Sequence, residues 1–121
     1  MYYYTYMIRC EDNSIYTGMT SNLINRFNEH ISKKGAKYTK SHIPTNIEIA
    51  WKSKDKSLAC KLEYHLKSLT KRQKEDIVNG TKISTFLSGK VDCRRYTAIK
   101  TLKNLKNTAG ILLKSELKKL N

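Results

Sequence analysis

The segment Tyr2–Cys10 is aromatic and β-favouring, and its residues sort onto two faces. Tyr4, Tyr6, Ile8 and Cys10 share one face; Tyr3, Thr5, Met7 and Arg9 share the other. The polar cluster Glu11-Asp12-Asn13-Ser14 reads as a turn, and Ile15-Tyr16-Thr17-Gly18-Met19 resumes strand character. A β-hairpin at the start of the chain is the expectation, and it commits the fold to a sheet with two different faces to cover.

The next segments supply the covering layers. Ser21 or Asn22 is placed to cap a helix running to about Lys33, with Leu23, Ile24, Phe27 and Ile31 on its apolar side. Lys33–Pro44 reads as a basic loop around Gly35. A third strand is expected over Asn46–Lys52, with Ile47, Ile49 and Trp51 on one face and Glu48 and Ala50 on the other. Asp55 caps a second helix, whose stripe is Leu58, Leu62, Leu66 and Leu69. Thr70 and Gln73 have the spacing of a capping box, opening a short third helix that ends near Asn79-Gly80. The expected fold class is α/β: a small three-stranded antiparallel sheet flanked by helices in the order β-β-α-β-α-α.

Thr81–Asn121 has a different character. It carries ten basic residues against Asp92 and Glu116, a net charge of +8 out of +14 for the chain. Ala98, Leu102, Leu105, Ala109, Leu112 and Leu113 recur at roughly helical spacing, with Gly110 as a place to split two helices. The expected organisation is a domain over residues 1–80 and a basic helical extension over residues 81–121.

Bulk composition narrows the partners. The 121 residues suit one domain with a modest core. A net charge of +14 draws polyanions, so nucleic acid ranks ahead of acidic protein or membrane surfaces. Only five of the 24 basic residues are Arg, so a coding bias toward Lys is the bland explanation of part of that charge. No apolar run approaches the roughly 18–20 residues of a membrane span. The N-terminus lacks the basic start and aliphatic centre of a signal peptide. Cys10, Cys60 and Cys93 are odd in number and widely spaced, which points to a reducing interior and a cytoplasmic location.

The chemistry-bearing residues are Tyr6, Tyr16, Arg26, His30 and Glu63, with His30 one helical turn beyond Arg26. Phenol, guanidinium and carboxylate are the groups needed to cut a phosphodiester with one metal ion. His42 and His65 read as surface residues. Tyr6, Tyr16-Thr17-Gly18, Arg26, His30 and Glu63 together resemble the GIY-YIG nuclease family in order and spacing, over about residues 1–80. The resemblance is closest to small stand-alone bacterial members, through Tyr6-Met7-Ile8-Arg9-Cys10, Ser14–Thr20, Glu29-His30 and Gly35–Thr39. The first triplet is Tyr4-Thr5-Tyr6, keeping only its tyrosine; in the second, Thr17 replaces the central apolar residue.

The resemblance implies a divalent-metal-dependent endonuclease that hydrolyses DNA by in-line attack of water, with structure-dependent or weak sequence preference. Tyr6 and Tyr16 would flank the attacking water, their phenols made more acidic by a nearby metal and by Arg26. Arg26 would clamp the scissile phosphate, and His30 would hold a tyrosine or a phosphate oxygen. Glu63 would be the single protein ligand to Mg²⁺ or Mn²⁺. Asn79 is the nearest candidate for a downstream family asparagine. Arg9, Lys33, Lys34, Lys37, Tyr38 and Lys40 are the expected nucleic-acid contacts, on DNA that is duplex, branched or single-stranded, or on RNA. The rival reading is a catalytically inactive nucleic-acid-binding protein that keeps the fold.

Overall fold

The hairpin forms where the alternation places it, with β1 at Tyr3–Cys10 and β2 at Ile15–Thr20. Asn13 adopts a positive φ of 69° within the turn, and the Asp12 carboxylate accepts from the Ser14 backbone at 3.0 Å. The computed structural model describes residues 1–32 and 42–99. Lys33, Lys34, Lys37, Tyr38 and Lys40, and the stripe Leu102–Leu113, therefore lie outside the described residues.

Helix α1 spans Leu23–Ile31, and its N-cap is Asn22, whose side chain accepts from the Asn25 backbone N–H. Strand β3 runs from Pro44 to Ser53. Helix α2 covers Lys56–Lys67 behind an Asp55 cap, and α3 covers Lys71–Val78. The capping box at α3 is complete: Thr70 accepts from Gln73 N–H while the Gln73 side chain accepts from Thr70 N–H. Gly80, at φ 120°, takes the left-handed conformation that ends α3, and Thr81 N–H closes the turn on Asp76 O.

Among the described residues the sheet has four strands, not the three expected from sequence, in the order β2-β1-β3-β4 with every neighbouring pair antiparallel. The fourth, β4 at Thr97–Ile99, pairs with Ala50–Lys52 of β3. Three residues beside two arginines carry too little periodicity to read as a strand; the open edge of β3 supplies the hydrogen-bond partners that make it one. Ala98, expected on a helix, is in this strand. Between α3 and β4 lie a one-turn helix, α4 (Ser84–Leu87), and a 3₁₀ turn at Cys93–Arg95.

A second difference lies in β3. Ile47, Ile49 and Trp51 were expected on one face, but register shifts between Met7 and Ile8 and between Arg9 and Cys10 add residues to β3 opposite β1. Such a bulge turns the strand over. Ile47 therefore joins Tyr4, Tyr6, Ile8, Leu23 and Phe27 under α1, whereas Ile49 and Trp51 pack with Met7, Leu62 and Leu66 under α2.

Residues beyond 80 complete both layers. Ile83, Leu87, Val91 and Tyr96 are buried in the α2-side cluster, and Ile99 in the α1-side cluster. The Tyr96 hydroxyl also donates to Leu58 O at 2.6 Å, tying this segment to α2.

Candidate active site

Alternation along β1 and β2 sends Tyr6 and Tyr16 to the α1 face of the sheet. In register, Tyr6 is opposite Gly18 and Tyr16 opposite Ile8, so the two tyrosines are diagonal neighbours. Their ring centroids are 6.4 Å apart. The His30 ring packs edge-on against both, 5.9 Å from Tyr6 and 5.3 Å from Tyr16. The Tyr6 hydroxyl and His30 Nε2 are 3.0 Å apart.

Gly18 makes this arrangement possible. A Cβ built on it would sit 2.5 Å from the Tyr6 oxygen and 2.7 Å from Tyr6 Cζ, with Tyr16 Cε2 at 3.1 Å. The phenol of Tyr6 lies over the glycine backbone, in space that any other side chain would fill.

Arg26 and His30 leave α1 on the same side, one turn apart. The Arg26 guanidinium is 3.5 Å from the Glu29 carboxylate, and its charge acts on both Tyr6 and His30. Its side chain retains 29% exposure, whereas Tyr6 and His30 are fully buried. Tyr16 is half-buried, so it is the tyrosine that solvent reaches.

Electrostatics set the protonation states. Burial, and then the Arg26 charge, push His30 down to about 4, so at neutral pH it is an uncharged imidazole. Burial raises the Tyr6 phenol well above its ordinary range; Tyr16 and Glu63 add to that, and the Arg26 hydrogen bond opposes it without prevailing. Tyr6 and His30 are thus a neutral phenol and a neutral imidazole sharing one hydrogen bond of 3.0 Å, its direction set by the ring's tautomer. A metal and Arg26 together were expected to make the phenol more acidic; of these Arg26 acts on Tyr6 here, and burial outweighs it.

Glu63 projects from α2, 22% exposed, with Lys67 Nζ at 3.1 Å. Its charge is the smallest of the influences acting on Tyr6, and α2, which carries it, packs on the opposite side of the sheet. No group of three or more His, Cys, Asp or Glu side chains able to hold a metal occurs among the described residues. A protein cage of the zinc type is therefore not assembled there. One accessible carboxylate does suit Mg²⁺, which keeps most of its waters and accepts phosphate oxygens.

Two expected residues are not brought to this group. Arg9 points to the opposite face, where its guanidinium bonds both Glu75 oxygens at 2.6 Å and Glu48 at 2.9 Å. Asn79, the other residue without a contact to the group, is the C-cap of α3 with its backbone N–H directed to Glu75 and Ile77 carbonyls, which leaves its expected site role a proposal. The cross-strand role of Gly18 was missed beyond its place in the triplet, because the close approach involves a residue twelve positions away.

The family described as the GIY-YIG catalytic domain matches residues 2–76, and the chain belongs to this family of nucleases. Among its relatives, UPF0213 protein FN1575 of Fusobacterium nucleatum is 49% identical over 79 residues, 65% of this chain and 79% of that protein. UPF0213 protein BH0048 of Halalkalibacterium halodurans is 39% identical over 93 residues, 70% of this chain and 99% of the relative. UPF0213 protein YhbQ of Salmonella typhimurium is 42% identical over 76 residues, 63% of this chain and 76% of the relative. The solution NMR structure of BH0048 from Bacillus halodurans aligns at a TM-score of 0.44 and 37% identity, covering 71% of this chain and 95% of that one.

Proposed function

We propose that this protein is a divalent-metal-dependent endonuclease that hydrolyses DNA phosphodiester bonds with structure-dependent or weak sequence preference. The observation that carries the reading is the convergence of Tyr6, Tyr16 and His30 into one ring-packed, hydrogen-bonded cluster, with Arg26 one helical turn from His30 on the same side of α1. These side chains come from two strands and one helix, and family membership supplies the reaction class.

In this reading Tyr16, open to solvent, orients the attacking water against the phosphate. The Tyr16 hydroxyl takes a proton from that water while passing its own to solvent, and buried Tyr6, 3.0 Å from His30 Nε2, holds the ring cluster against which Tyr16 packs. The water oxygen bonds to phosphorus as the opposite P–O bond breaks, and the departing oxygen is protonated from solvent. Arg26 donates to the phosphate oxygens where negative charge accumulates. Glu63 would hold the metal, whose chemistry is polarisation of the phosphate and stabilisation of the leaving oxygen. His30 stays neutral throughout, because its burial disfavours the protonated ring.

The test is cleavage of labelled linear, branched and single-stranded DNA with Mg²⁺ and with chelator, comparing wild type with Glu63→Ala. Loss of metal-dependent cleavage is expected, with stability changed by no more than about 0.5 kcal/mol because the Lys67 pair is an exposed i,i+4 contact. Wild-type cleavage and metal dependence in the variant would remove Glu63 from the site. An intact wild type that binds but never cleaves any substrate would favour the inactive binding protein.

A further inference from the structure

Lys52 and Lys54 of the family match, with Arg94 and Arg95 beyond it, build a cationic surface on the face that carries the tyrosines. Lys52 of β3 is opposite Tyr4 on one side and Thr97 of β4 on the other, and directly opposed residues share a face. Tyr4 belongs to the same cluster as Tyr6, so Lys52 and Thr97 are on the active-site face, one side-chain step of about 6.8 Å along the strands. There a concavity of about 540 Å³ is lined by Tyr2, Lys52, Lys54, Arg94, Arg95 and Thr97. Lys52 Nζ lies 4.6 Å from the Tyr2 ring centroid, which orients a ring that is 47% exposed. The Arg94 side chain is 90% exposed, pre-aligned by Asp92 at 3.0 Å.

The composition of this hollow names its ligand. Four cations around one concavity complement closely spaced phosphates rather than a single anion, and Lys and Arg give phosphate oxygens charge-assisted bonds. An exposed tyrosine beside them offers a stacking surface for a base. Arg94, Arg95 and Thr97 lie beyond residues 2–76, so two of the hollow's four cations come from outside the family match. Building on the nuclease reading above, we propose that Lys54, Arg94 and Arg95, with Lys52 and Tyr2, form a docking track for the phosphodiester backbone flanking the scissile bond.

The experiment compares full-length wild type with the triple variant Lys54→Ala, Arg94→Ala, Arg95→Ala. A control triple variant, Lys56→Ala, Lys61→Ala, Arg72→Ala, removes the same charge from exposed positions of α2 and α3 behind the sheet. Binding of a labelled DNA duplex is measured across salt concentrations, with unfolding midpoints checked in parallel. The patch variant should lower the log–log salt slope by about 0.9 for each phosphate it no longer neutralises, roughly 2–3 units in all. The control should leave the slope near wild type, and in cleavage assays the patch variant should raise KM with kcat unchanged. Equal slopes for the two variants, or no change in either, would overturn the track. Equally tight binding of anionic phospholipid vesicles through the same three side chains would overturn its assignment to nucleic acid. Patch-dependent binding without any cleavage keeps the track and rejects the nuclease; cleavage with a patch-independent slope does the reverse.

Discussion

Substituting Gly18 by Ala tests the packing of the tyrosine pair directly. The new Cβ would sit 2.5 Å from the Tyr6 oxygen and 2.7 Å from Cζ, against the roughly 3.5–4.0 Å of an unstrained contact. The phenol must therefore retreat by about 1 Å. It has nowhere easy to go, because Tyr6 is 1% exposed and wedged against Tyr16 and His30. Overpacking of this kind costs about 1–3 kcal/mol, and loss of the Tyr6–His30 hydrogen bond adds about 0.5–1.5 kcal/mol. A total of about 1.5–4.5 kcal/mol would move the urea midpoint down by about 1–2 M. Activity should suffer more, since a displacement of about 1 Å at a reacting group can cost on the order of 100-fold in rate. Combining Gly18→Ala with Tyr6→Phe removes the nearer clash and should recover part of the stability but none of the activity. Wild-type stability and cleavage in the single variant would refute the claim that Gly18 is there to admit the phenol.

Three further outcomes follow from the same structure. His30 is depressed to about 4 from its ordinary 6.5, and Glu75, hydrogen-bonded by Arg9 and then Lys71, to about 2 from 4.5. In both cases the unfolded chain takes up the proton first, so stability is complete above about pH 6.5. It should decline from 6.5 to 4 through His30 and again from 4.5 to 2 through Glu75. Urea midpoints across pH check this: His30→Gln should flatten the upper window only, and a flat wild-type profile there would contradict the buried neutral imidazole. The Thr17 hydroxyl is buried without a hydrogen-bond partner among the described residues, so Thr17→Val should raise stability by about 1 kcal/mol in the same assay; a decrease would reveal a partner. A chain ending at Gly80 lacks the core residues Ile83, Leu87, Val91, Tyr96 and Ile99, at about 1.5–3 kcal/mol each as an upper bound, comparable with a whole domain's roughly 5–15 kcal/mol. Circular dichroism should show it unfolded and the chain ending at Ile99 folded; a folded, cooperative 1–80 fragment would show that the later segment is dispensable.

Local chemistry made much of this protein legible before any coordinates. Alternation in Tyr3–Cys10, the Asn22 and Asp55 caps and the Thr70–Gln73 box depend on neighbours a few residues apart, so sequence alone determined the hairpin and the three principal helices. The i,i+4 spacing of Arg26 and His30 likewise put both on one side of α1. What sequence could not supply were pairings between distant segments. The bulges of β3, which send Ile47 and Ile49 to opposite faces, arise from register against β1. β4 becomes a strand only because β3 leaves an edge for it, and the core closes with residues expected in a peripheral appendage. Protonation was also a tertiary outcome. The types Tyr and His say nothing of whether burial or Arg26 prevails, and burial, decided by α1 lying over the sheet, keeps Tyr6 and His30 both neutral.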